Sequence, residues 1–146
     1  MAYSNSKGLV QVLDQTVSPK VWVTIPNKYI SFDNYKITPD QAIDLDSYVT
    51  ETGKLYRNVL SHTRSKIEFT TPIITSTEWN SVLAIIKKGY YGAKERNLRI
   101  KYYNPETDDY SIGTFYRPDI DYGARWIDED TGVIQYDGIR VAFIEY

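Results

Sequence analysis

The chain has 146 residues, 42% apolar and 25% charged, the proportions of one soluble globular domain with enough length to bury a core. A net charge of −2 gives no global basic field for nucleic acid, and the lack of cysteine excludes disulfides, thiolate metal sites and cysteine nucleophiles. No run approaches the roughly 18 apolar residues of a membrane span. Met1–Val12 lacks the basic start and apolar core of a secretory signal, so synthesis in a cytoplasm is expected.

Taken in order, Met1–Gly8 is small and polar and is expected to be a mobile arm. Leu9–Val17 allows an extended segment. Val21–Ile25 is β-branched and aromatic, which predicts a strand closed by Pro26-Asn27. Tyr29–Phe32 and Tyr35–Thr38 are short strand candidates around an Asp33-Asn34 turn, and Pro39-Asp40 is a break. Ala42–Val49 and Lys54–Ser61 bracket Thr50-Glu51-Thr52-Gly53 and are expected to pair as a hairpin, with Ile43 and Leu45 on one face. In Lys66–Thr71, Ile67 and Phe69 alternate with polar neighbours, the pattern of a strand with one wet face.

The helix is the clearest element. Thr75 and Glu78 match the S/T-x-x-E capping box that satisfies unpaired backbone N–H groups of a first turn. Trp79, Val82, Leu83, Ile86 and Tyr90 then form one apolar stripe over Ser76–Lys88, with Lys87 and Lys88 at the negative end and Gly89 as the stop. Trp79 reads as core rather than as a ligand platform. Further strands follow at Leu98–Tyr103 and Tyr110–Arg117 around the polar turn Asn104–Asp109. Trp126–Tyr136 is expected to form a hairpin, and Ile139–Tyr146 a final strand. These elements predict a single mainly β domain, an antiparallel sandwich or barrel-like sheet with one flanking helix.

Catalytic equipment is sparse. His62 is the only histidine, and the adjacent Ser61 points away from it in a strand or turn, so a solvated loop position is favoured over a nucleophile–base pair. Asp40, Asp44 and Asp46, or Asp128, Glu129 and Asp130, could offer oxygen to a cation. Neither set has calcium-loop spacing, and acidic turns are common as solvated turns. No metal or cofactor is expected.

Lys87, Lys88, Lys94, Arg96, Arg99 and Lys101, interleaved with tyrosines, form a basic-aromatic concentration that could face DNA in a channel or an acidic partner. The plainer account is a helix C-terminus followed by one solvated strand face. Tyrosine itself is abundant, 14 residues, which suits pleated strands and contact surfaces alike. Trp22, Tyr91, Tyr103 and Trp126 are the candidate interface aromatics.

The runs Thr75-Ser76-Thr77-Glu78-Trp79, Tyr102-Tyr103-Asn104-Pro105-Glu106-Thr107, Gly113-Thr114-Phe115-Tyr116 and Val141-Ala142-Phe143-Ile144-Glu145 carry a family resemblance. From Tyr35 to Tyr146 the chain resembles a small family from tail gene clusters of long-tailed phages and prophages. It resembles more distantly the tail-tube and distal-tail building block; residues 9–34 would be an N-terminal extension. The resemblance implies a virion tail or tail-tip protein made in a host bacterium. It would form rings, hexameric most simply, contact other tail proteins and have passive contact with DNA in the channel. The alternative is a carbohydrate- or receptor-binding β-sandwich, which would expose Trp22 or Trp126 beside Asp and Asn in a groove. A hydrolase is a distant third.

Overall fold

A computed structural model of the chain describes residues 3–41, 48–56 and 63–146, without the side chains of Tyr48 and Tyr56. Twelve strands and one helix occur among the described residues: β1 (Val10–Asp14), β2 (Val21–Thr24), β3 (Lys36–Gln41), β4 (Tyr48–Val49), β5 (Leu55–Tyr56), β6 (Arg64–Thr70), β7 (Ile74–Thr75), α1 (Ser76–Lys88), β8 (Asn97–Asn104), β9 (Asp109–Tyr116), β10 (Ala124–Ile127), β11 (Ile134–Tyr136) and β12 (Arg140–Glu145). Every pairing is antiparallel. Seven strands form one sheet in the order β2-β1-β8-β9-β12-β6-β3, while β10-β11-β7 form a second and β4-β5 a small ribbon. The architecture is sandwich-like, with no closed barrel among the described residues.

Alternation builds the core. Val10 and Val12, Ile67 and Phe69, Leu98, Ile100 and Tyr102, Phe115, and Val141 and Phe143 are all buried. Their sequence neighbours turn to the outer face. The sheet also curls: Tyr102 on β8 brings its hydroxyl to 2.9 Å from Ser65 Oγ on β6, although β9 and β12 lie between those strands.

The helix begins with the expected capping box. Thr75 Oγ1 accepts from Glu78 N, and the Glu78 carboxylate accepts from Thr75 N. Trp79, Val82 and Ile86 are buried, with Leu83 and Tyr90 partly so. The stripe rests on β1, β7 and β11. Gly89 is the C-cap, as expected, and has a second purpose. Its φ is −81°, ordinary right-handed backbone, and a Cβ there would collide with Val12 Cγ1. Glycine is needed for close approach of helix to strand.

Two expectations are corrected. Tyr29–Phe32 is not a strand; the chain makes two 3-10 turns, Asn27–Tyr29 and Phe32–Asn34. Pro26 and Ser31 start these turns, with Tyr29 N donating to Pro26 O and Asn34 N to Ser31 O. Nor does Pro39-Asp40 end a strand. β3 runs through it as a bulge: the register shifts between Thr38 and Gln41, Asp40 takes φ +49°, and its N–H donates to Ser65 Oγ. The expected hairpin is present where β4 meets β5 around the Thr50–Gly53 turn; its remainder, with Ile43, Asp44, Leu45 and Asp46, lies outside the described residues, as does His62. β7 is an element the sequence does not announce, two residues long and held by pairing with β11.

Phe115 and Phe143 are fully buried. Phe115→Asp or Phe143→Asp is expected to abolish cooperative thermal unfolding, because either places a carboxylate in an apolar core. Gly89→Ala should fold but lose about 1–3 kcal/mol in urea titration, the usual range for overpacking. A neutral result would show that α1 can lift off Val12 freely.

Candidate assembly surface

The predicted basic residues fall on three different elements. Lys87 and Lys88 occupy the exposed last turn of α1, where Lys88 O accepts from Gln15 N. Lys94 is exposed in the following loop. Arg96 takes a left-handed conformation, φ +54°, and its guanidinium reaches Asp119 at 2.6 Å. Arg99 and Lys101 belong to the outer face of β8. There Arg99 Nη1 donates to Thr114 Oγ1, and Lys101 Nζ lies 4.8 Å from the centre of the Trp22 ring. Arg96, Arg99 and Lys101 are therefore engaged within the chain.

The candidate aromatics also separate. Trp22 is half-buried beneath Lys101, which makes a cation–π contact with it. Tyr91 is exposed just beyond α1. Trp126, 59% exposed, stands on β10, all of whose residues are exposed and which forms an edge of the second sheet. Tyr103 joins Tyr3, Leu9, Phe32 and Tyr35 in an apolar groove of about 320 Å³. The Tyr3 ring meets Tyr103 edge-on at 5.8 Å, and Ser4 N donates to the Tyr110 hydroxyl, so the described part of the N-terminal arm forms one wall. Burial pushes the Tyr35 hydroxyl well above the usual tyrosine range, and that hydroxyl has no hydrogen-bond partner among the described residues. The groove draws on three distant segments. No local pattern could reveal it, although Phe32, 67% exposed, marks it on the surface.

A second, polar cleft of about 240 Å³ is lined by Asn34, Lys36, Glu68, Phe69, Thr70 and Arg140. Glu68 accepts from Arg140 and lies 3.7 Å from Lys66. The Arg140 hydrogen bond, opposed by partial burial and aided by Lys66 and Lys36, holds the Glu68 carboxyl below its ordinary range.

Acid groups elsewhere act on the backbone. Asp128 Oδ1 accepts from the Asp130 and Thr131 N–H groups, and those bonds lower its pKa. Among the described residues no three His, Asp or Glu side chains are placed to hold a metal, and no helix is long and apolar enough to cross a membrane.

These features define a mainly β, sandwich-like fold with exposed aromatics, an apolar groove and a polar cleft on its surface. The chain belongs to a family of unknown function, DUF6711, whose model matches residues 20–146. That match takes in β2 and both 3-10 turns as well as everything from Tyr35 onward. No curated protein sequence matches the chain. Its fold is similar to that of a chain from the tail of an empty GTA particle determined by helical refinement with C6 symmetry. The two are 16% identical with a TM-score of 0.50, over 99% of this chain and 95% of that one.

Glu68 supplies a pH test. Its folded pKa is depressed, so its contribution to stability is present above the unfolded value near 4.5 and is lost as pH falls through the folded value. Wild type should melt higher than Glu68→Gln at neutral pH, and the gap should shrink as the pH is taken well below that value.

Proposed function

We propose that this protein is a structural component of a bacteriophage-type tail, at the tube or tip, which assembles into a ring and contacts neighbouring tail proteins. The observation that carries this proposal is the near end-to-end likeness in fold to a chain built into a C6-symmetric tail. The surface supports it. An assembling subunit needs exposed aromatics, free strand edges and separated charged patches, and Trp126, β10 and the Lys87–Lys88 turn supply these. Six copies in a closed ring would place the protein in the virion tail, made in the cytoplasm of the infected bacterium. Lysines outside internal pairs would then meet either an acidic neighbour or DNA in the channel.

Light scattering behind size exclusion, over a concentration series, tests the ring. A mass rising toward six copies of the 16.9 kDa chain is the expected result. A chain that stays monomeric at the highest attainable concentration, and shows no rings by electron microscopy, overturns the self-assembly.

A further inference from the structure

The two ends of α1 carry opposite charge, each around an exposed apolar patch. At its C-terminal end Lys87, Lys88 and Lys94 are joined by Lys20 on the turn between β1 and β2. That turn is fastened to the helix by the Gln15 N to Lys88 O bond. Val17, Val21 and Tyr91 are exposed there. Of the nearby acids, Asp14 is buried with its carboxylate bonded by Thr16, and Glu95 is exposed with its carboxylate over Gly92.

At the N-terminal end the signs invert. Ser76 Oγ accepts from Ile134 N, which ties the β10–β11 hairpin to the first turn, and Trp79 packs edge-on against Tyr122 at 5.9 Å. Tyr122, Trp126 and Ile127 are exposed beside Asp121 and the turn Asp128-Glu129-Asp130. Arg125 is engaged by Asp137. A helix of 13 residues separates the patches by roughly 20 Å, at about 1.5 Å rise per residue.

From this we infer that the acid-rimmed edge of β10 on one copy docks on the lysine-rimmed end of α1 on a second copy. The inference rests on the proposed ring and specifies its contact. Opposite charges meet, and the apolar patches they surround cover one another. The surfaces are different parts of the chain, so the contact is head-to-tail, and such contacts close into rings or run on as filaments. An open assembly then leaves one uncovered surface of each kind, at its two ends, until closure.

Two variants test it: Lys87→Glu/Lys88→Glu and Glu129→Lys/Asp130→Lys. Each alone should stay monomeric at concentrations where wild type assembles, and an equimolar mixture should recover the wild-type mass, since reversed ends complement one another. Circular dichroism melting checks that each is folded. Should the first be unfolded, Lys87→Gln/Lys88→Gln replaces it, with assembly shifted to higher concentration. Either variant assembling like wild type, or a mixture that remains monomeric, overturns this contact and leaves the ring proposal standing. A wild-type chain that never assembles overturns both.

Discussion

The hydroxyl of Tyr102 and the side chain of Ser65 meet inside the concave face of the large sheet, and the shape of the protein follows from that meeting. A buried hydroxyl without a partner would cost about 1–3 kcal/mol. Ser65 supplies a partner because β6 comes within reach of β8 across two intervening strands, as the sheet curls. Ser65 completes the arrangement: its Oγ also accepts from Asp40 N, and its N–H donates to Glu145 Oε1 at 2.9 Å. Four strands, β3, β6, β8 and β12, are thereby tied through one serine. Gly113 allows it, because a Cβ there would strike the Glu145 carboxylate. Around this polar centre Phe69, Phe115 and Phe143 fill the remaining volume, and Tyr102 sets its ring edge-on to Phe115 at 5.6 Å.

Much of this was legible locally. The Thr75–Glu78 box, the Trp79–Ile86 stripe and the alternation at Ile67 and Phe69 each depend on neighbours within a few positions, and each is where the sequence places it. The β8–β9 hairpin is similarly self-contained: Asn104 Oδ1 accepts from Glu106 N, and pairing runs unbroken from Asn104↔Asp109 to Asn97↔Tyr116. The misjudged elements depend on longer-range relations. Tyr29–Phe32 has strand-like residues, but only Ile30 of them is fully buried, and turn chemistry at Pro26 and Ser31 prevails. β7 owes its existence to β11, sixty residues away. Gly89 ends the helix as the sequence indicates, and only the packed structure shows that it also leaves a gap made for Val12.

The surface was less legible, because a patch is assembled by folding. Six basic residues within fifteen positions suggest one field, yet the strand period and the loop send them to separate elements, and Arg96, Arg99 and Lys101 are committed to Asp119, Thr114 and Trp22. Conversely Lys20 lies far from Lys87 in sequence, and the β1–β2 turn carries it to the same end of α1. Trp126 was identifiable as a candidate; its exposure follows from β10 having a partner on one side only.

The bulge in β3 bears on growth of the sheet itself. An unprotected border strand is a template, and identical chains could add to it without limit, as they do in fibrils. Here that border carries Pro39, which has no amide hydrogen to offer, followed by Asp40 in a left-handed turn of the backbone. A further strand laid along it would meet a missing donor and a broken pitch. At the opposite border β2 offers only four residues. Among the described residues the large sheet is thus interrupted at one margin and short at the other, which disfavours the addition of strands from identical chains.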